Sequence, residues 1–189
     1  ELITGSDFTN ELDTKPFVGN AVRLYEHFTN MSVRQLPSYE KARYRFVEVE
    51  APLPDRETIQ LLSGKPLAIE QHLTDARIPE IIKRINGQTI IYTENVGSSI
   101  SNKPTILKAI SEAVEKAKIT YGFYTGEDRS GLDLFLAKEV QVLIASRPIS
   151  TGVDGLQKVC SNLIFNTLPW THALYQQIVG RVVRTGMIN

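Results

Sequence analysis

Val140-Gln141-Val142-Leu143-Ile144-Ala145 leads into Ser146-Arg147-Pro148-Ile149-Ser150-Thr151-Gly152-Val153-Asp154-Gly155-Leu156-Gln157, and a few residues later comes Asn162-Leu163-Ile164-Phe165. The first run is apolar almost throughout. A strand with one wet face alternates apolar and polar residues, whereas a strand inside a parallel sheet is covered on both faces and loses that alternation. Residues 140–145 therefore predict an inner strand of a parallel sheet, and residues 163–165 the strand that follows. Between them lies a loop of small and hydroxyl residues centred on Thr151-Gly152-Val153-Asp154.

Working outward, the chain alternates strand and helix. Residues 88–92 predict a buried strand. Residues 104–118 predict a helix with Pro104 at an early position and Ile106, Leu107, Ile110, Ala113, Val114 and Ala117 facing inward. Residues 119–124 read as a strand, 132–138 as a short helix and 172–184 as the last helix. This is a βαβα pattern, which implies an α/β fold built on an open parallel sheet flanked by helices. Further upstream, a helix opens at Thr74 or Asp75 with Ile78, Ile81, Ile82 and Ile85 as its stripe, and Asn86-Gly87 ends it. Ser63-Gly64-Lys65-Pro66 is a turn. Asp55 caps a short helix through Leu62. Residues 43–51, rich in Tyr, Phe and Val, predict a strand closed by Pro52 and Pro54. Residues 20–28 predict a helix within an otherwise polar first segment.

The composition sets outer limits. The 189 residues fit one domain, or one with an appendage, and 42% hydrophobic content suffices for a core. Formal net charge is zero, so nucleic acid would have to be held by a local patch and not by a global field. The single cysteine, Cys160, excludes an internal disulfide, suits a reducing compartment and reads as a small buried residue. No apolar run approaches the roughly 20 residues that span a bilayer, and no signal peptide is visible. The expected location is intracellular. A start at Glu1 and an end just past an arginine motif suggest a piece of a longer polypeptide.

That motif is Gln177-Ile178-Val179-Gly180-Arg181-Val182-Val183-Arg184-Thr185-Gly186. Arg181 and Arg184, three apart on a helix, share a face, and Gln177 joins it four residues before Arg181. Two guanidiniums and an amide suit a polyphosphate, because arginine offers a planar fork of donors that keeps its charge. Val179, Val182 and Val183 can pack on the other side. Taken alone, two helical arginines are more often just solvated.

The set of motifs changes that balance. The arginine stretch resembles motif VI of superfamily 2 helicases and translocases, and residues 143–157 with their T-G-x-D resemble motif V. The order of strand, T-G-x-D-G-L, strand, Pro169-Trp170 and Q-x-x-G-R-x-x-R-x-G is similar to the second motor lobe of Swi/Snf-type translocases. The likeness is specific from Val140 to Gly186 and fades to general architecture upstream of Gln88. It implies a RecA-like lobe over residues 41–189, with residues 1–40 a linker or the end of a preceding lobe. Thr4-Gly5-Ser6 faintly resembles the T-G-[ST] motif that closes a first lobe, with Asp7 where proline is usual.

The resemblance also implies roles. Arg184 and Arg181 would reach the γ-phosphate of ATP, with Gln177, Gly152 and Asp154 near the nucleotide. Thr125-Gly126 occupies the place of a loop that grips nucleic-acid backbone, and Thr93, Ser146 and Thr151 are similarly placed to bond phosphates. Turn-making or capping is an equal alternative for each, and Asp154 can equally cap a helix from Gly155 onward. Backbone amides at helix starts can bind phosphate without lysine. Arg147 departs from the acidic residue common after this strand and adds positive charge there. Trp170 packs under the arginine helix or against a neighbouring lobe, or else stacks on a base; packing is the expected role.

Other chemistries find no support. His27, His72 and His172 lack metal-ligand spacing, H-E-x-x-H and G-x-S-x-G are absent, and Glu48 and Glu50 read as a solvated strand edge. Neither G-x-x-x-x-G-K-[ST] nor D-E-x-x occurs. In P-loop motors these hold the phosphates and Mg²⁺, so the chain alone is not expected to hydrolyse ATP. The expected whole is an ATP-dependent DNA translocase or helicase. Its first lobe would hold ATP and Mg²⁺ and its track would be duplex DNA, preferred over RNA on the resemblance alone. The alternative is a non-catalytic RecA-like module that binds nucleic acid or protein.

Overall fold

Four short strands, β1 (Thr89–Tyr92), β2 (Tyr121–Tyr124), β3 (Val142–Ala145) and β4 (Asn162–Phe165), form one sheet in the order β2-β3-β1-β4. The computed structural model describes residues 43–96 and 105–183. All three pairings are parallel. The inner positions fall to β3 and β1, whose residues are buried without exception. These are the two runs with no polar alternation, as a strand covered on both faces requires. The edge strands carry the half-buried residues.

Helices cover both faces. They are α1 (Arg56–Leu62), α2 (Pro66–Lys83), α3 (Ile106–Lys116), α4 (Gly131–Leu136) and α5 (His172–Val182). Successive strand residues point to opposite sides, and the core divides accordingly. Ile91, Val142 and Ile144 pack with Ile81 of α2 and with Ile106, Ile110 and Val114 of α3. Ile90, Tyr92, Leu143 and Ala145 pack on the other side with Phe135 of α4, Ile178 and Val182 of α5, and the loop residues Ile149, Val153 and Leu156. Three helices start at the caps their sequences offer. Asp55 accepts from Thr58 N at 2.7 Å, Thr105 from Lys108 N at 3.2 Å, and Thr171 from Leu174 N at 3.2 Å.

α4 lies unusually close to the sheet. A Cβ on Gly131 would stand 2.4 Å from Phe123 N and 2.6 Å from Gly122 Cα. Glycine at both positions lets backbone meet backbone, and no side chain could be inserted there without moving the helix.

Some expectations need correction. Residues 43–51 form no strand, and residues 43–48 are exposed, with Phe46 93% so. Their strand-like composition finds no ladder to join, and strand propensity is realised only against a partner. α2 begins at Pro66, eight residues before the expected start, with proline in its first turn. Thr74 is not its cap: it is fully buried and its hydroxyl accepts from Asn166 Nδ2 at 3.0 Å. Ala117 is exposed at the end of α3 and does not face inward. The helix expected at 20–28, the Thr4-Gly5-Ser6 motif and Pro104 lie outside the described residues. Among the described residues no helix is long and apolar enough to cross a membrane.

Candidate functional site

Register sets the site. Tyr92 pairs with Ala145 and with Phe165, and Tyr124 pairs with Ala145, so all four strands end level. The next residues, Thr125, Ser146, Thr93 and Asn166, therefore stand side by side along one rim in the order of the sheet. The ladder runs one step into them: Thr93 N donates to Ala145 O at 2.9 Å, Ser146 N to Tyr124 O at 3.1 Å, and Asn166 N to Tyr92 O at 2.8 Å. In the chain β1 is followed by α3, which packs on one face, and the loop after β3 packs into the core of the other. Adjacent inner strands whose connections leave to opposite faces form a switch point, where open α/β sheets place their ligands.

The rim residues hold their loops in shape. Thr125 Oγ1 accepts from Glu127 N at 3.3 Å and Asp128 N at 3.1 Å, closing the Thr125-Gly126-Glu127-Asp128 turn and leaving Gly126 exposed. Thr93 is fully buried, and its hydroxyl lies 3.1 Å from Asn95 O and 3.3 Å from Thr167 Oγ1. Its side chain thus fixes the turn and does not project from it. Ser146 is 4% exposed. Tyr92 donates to Glu94, and burial together with that carboxylate pushes its phenol above its ordinary range, keeping it a donor. Arg147, exposed just past Ser146, is close enough to pull the phenol the other way.

After Ser146 the chain makes a 3-10 turn, Arg147–Ser150, and a second one, Leu156–Lys158. Between them Thr151 and Gly152 form an exposed apex, with Gly152 in the left-handed region at φ 71°. The Thr151 hydroxyl donates to Pro148 O at 3.3 Å. Gly155, at φ 92°, precedes the second turn, and no side chain caps that turn. The Asp154 side chain is 85% exposed, with Oδ1 3.8 Å from Arg181 Nη1.

α5 packs on this loop. Ile178, Val179 and Val182 are buried, and Val183 partly so, which makes the apolar side expected of the motif. Gln177 is exposed. Arg181 turns back onto the loop. Its Nη2 and Nε donate to Ser150 O at 2.9 and 3.2 Å, and its Nη1 to Val153 O at 3.2 Å. Arg184 lies outside the described residues, as does most of the loop after β1, residues 97–103.

Three features escaped the sequence reading. Asn166 ties the end of β4 to Thr74 of α2 and, at 3.3 Å, to Thr93 of β1. Arg77 of α2 donates to Asn166 O at 2.8 Å and to Glu70 at 2.7 Å, so α2 is laced to the rim. Arg129 sets its guanidinium 5.9 Å above the Tyr124 ring, a second rim cation beside Arg147. Aligning the strand ends would have found Asn166, since a polar residue there follows an apolar strand as Thr93, Thr125 and Ser146 do. Trp170, expected to pack, is 81% exposed, next to Leu168 at 65%.

The donor set fits part of a nucleotide site. Gln177 is exposed on α5, the helix that also carries Arg181. Mg²⁺ takes oxygen ligands, usually including carboxylate; Asp154, the acid between residues 146 and 158, is beside a guanidinium instead. Among the described residues no group of three His, Cys, Asp or Glu could hold a metal ion.

The helicase conserved C-terminal domain matches residues 72–186. YqhH, an uncharacterized ATP-dependent helicase of Bacillus subtilis (strain 168), is 28% identical over 139 residues, which is 74% of this chain and 24% of that protein. The chain thus spans about a quarter of that relative's length. Among solved structures, the C-terminal part of the Fun30 ATPase domain covers 72% of this chain and 41% of its own at 15% identity, with a TM-score of 0.43. The Pyrococcus furiosus Hef helicase domain covers 61% of this chain and 23% of its own at 23% identity, with a TM-score of 0.36. The matched residues, more than half of the chain, take in all four strands, the Thr151-Gly152 loop and the arginine helix, and the chain belongs to the helicase conserved C-terminal domain family.

Proposed function

We propose that this domain is the second motor lobe of an ATP-dependent, Swi/Snf-like DNA translocase or helicase, and that it closes on a first lobe of the same polypeptide when ATP binds. One observation carries the reading. The loop holding Thr151, Gly152 and Asp154 is packed against the helix holding Gln177 and Arg181, at the end of the sheet where Thr93, Thr125 and Ser146 stand in a row. In this reading a nucleotide-facing helix is joined through that loop to a strand-gripping rim.

In this reading Arg184 is the finger aimed at the γ-phosphate, and Gln177 of α5 assists it. ATP supplies the phosphoryl bond whose cleavage releases closure, and the first lobe holds it with Mg²⁺ through its Walker loop. Residues of the rim bond the phosphates of one strand of duplex DNA: the turn at Thr125 and Gly126, the start of the loop at Ser146, and its apex at Thr151. Thr93 shapes the turn beside them. Such contacts position the lobe and carry little sequence information. The protein works inside the cell.

The test is steady-state ATP hydrolysis by the complete protein with and without duplex DNA. Arg184→Ala should lower kcat by about 10³, the scale of an arginine finger, and raise KM far less. Arg184→Lys should not restore the rate, because a point charge lacks the fork. Near wild-type turnover by both variants would make Arg184 a surface residue and remove the motor reading.

A further inference from the structure

Arg181 stands in the last turn of α5, where the sequence motif pairs it with Arg184 as a phosphate ligand. Its guanidinium is instead directed at main-chain carbonyls. Nε and Nη2 converge on Ser150 O, and Nη1 reaches Val153 O. These two carbonyls flank Thr151 and Gly152, so the planar fork spans the base of the exposed apex. Gly152 is in a left-handed conformation there, and the Thr151 amide and hydroxyl both donate back to Pro148 O. The Asp154 carboxylate lies 3.8 Å from Nη1 on the same side. The side chain is only about a quarter exposed, so water competes weakly for these bonds. An arginine presents five N–H donors in one plane. Three of the five donors are turned onto the loop, which leaves one on each Nη.

We infer that Arg181 is a positioning residue that locks the Thr151-Gly152 apex to the arginine helix. Any displacement of α5 on lobe closure is then transmitted to the residues proposed to grip DNA. This inference rests on the motor reading for its consequence, but not for its geometry.

The geometry is tested on the 189-residue chain by amide hydrogen exchange. Arg181→Ala should speed exchange across residues 150–155 by about tenfold or more, the equivalent of losing one charge-assisted hydrogen bond, with Leu143 and Ile144 of β3 unchanged. Arg181→Lys should give an intermediate effect, since an ammonium can reach one carbonyl but not bridge both. If the alanine variant loosens β3 as well, the lysine variant decides. Unchanged exchange at residues 150–155 in the lysine variant overturns the inference.

The consequence is tested in the complete protein. Arg181→Ala should reduce DNA-stimulated kcat more than it changes KM for ATP. A raised KM with loop exchange unchanged would make Arg181 a phosphate ligand, so the inference would fail while the motor reading survives. Undiminished hydrolysis by both Arg181→Ala and Arg184→Ala, with the loop loosened in the former, would leave the tie standing and the motor reading refuted.

Discussion

At the scale of the residue, burial and hydrogen bonding separate groups that look alike in the sequence. Thr93 and Thr151 are both threonines in loops after inner strands. The first is fully buried and braced by Asn95, Thr167 and Asn166, while the second is exposed at a turn. Thr151→Ala should leave the stability of the chain within about 0.5 kcal/mol of wild type by urea unfolding, as exposed substitutions usually do. In the complete protein it should reduce stimulation of ATP hydrolysis by duplex DNA; undiminished stimulation would remove Thr151 from the track. Cys160 offers a check on the core. Burial raises its thiol from 9.0 to about 11. From thiolate fraction alone, the native thiol should react with iodoacetamide at pH 8 about a hundredfold more slowly than the unfolded chain. Because the folded value is the raised one, the stability linked to this thiol is intact below pH 9 and is lost between pH 9 and about 11. Native and unfolded chains labelling at equal rates would contradict the burial.

At the scale of the element, the closest packing is between α4 and β2. Gly131→Ala would drive a methyl group into the backbone of Gly122 and Phe123. The expected loss is about 1–3 kcal/mol, the usual cost of overpacking, read as a lower urea midpoint with an unchanged slope. Gly126→Ala is the control, because a Cβ there meets nothing within 4 Å; it should change stability by less than about 0.5 kcal/mol. A Gly131→Ala chain as stable as that control would mean that α4 does not sit against β2 as described. Helix periodicity and caps made α1, α3 and α5 legible within a few residues. α2 was half legible, because its first turns carry Leu67 and Ile69 to the surface and offer no inward stripe to read.

At the scale of the whole molecule, charge decides how the chain meets nucleic acid. Net charge is zero, Arg181 is held by the loop, and the rim cations seen are Arg129 and Arg147. Binding of duplex DNA by this chain should be weak and fall with salt. Two phosphates neutralised correspond to a slope of log K against log salt of about −2, measurable by fluorescence anisotropy. A slope steeper than about −5 would require a cationic surface elsewhere. The chain alone should show no DNA-stimulated ATP hydrolysis, since its sequence holds no Walker loop. Robust turnover abolished by Arg184→Ala would overturn the half-site argument.

The sequence by itself determined what local pattern can encode. The unbroken apolar runs marked β1 and β3 as inner strands, the alternation of periods implied an open parallel sheet, and the hydroxyls following β1, β2 and β3 marked three of the four rim positions. These are properties of neighbours in the chain, and hydrophobic periodicity reports them directly. Only the tertiary structure decided which groups are already bonded. Arg181 is marked in the sequence by its spacing from Arg184, and the fold adds partners about thirty residues upstream, Ser150 and Val153. Residues 43–51 read as a strand by composition, but find no ladder. Trp170 reads as a residue of the core or of a lobe contact, and within this chain it stands exposed. In each case the deciding partner is distant in sequence, and a side chain's role follows from whatever polar or apolar surface the fold brings to it.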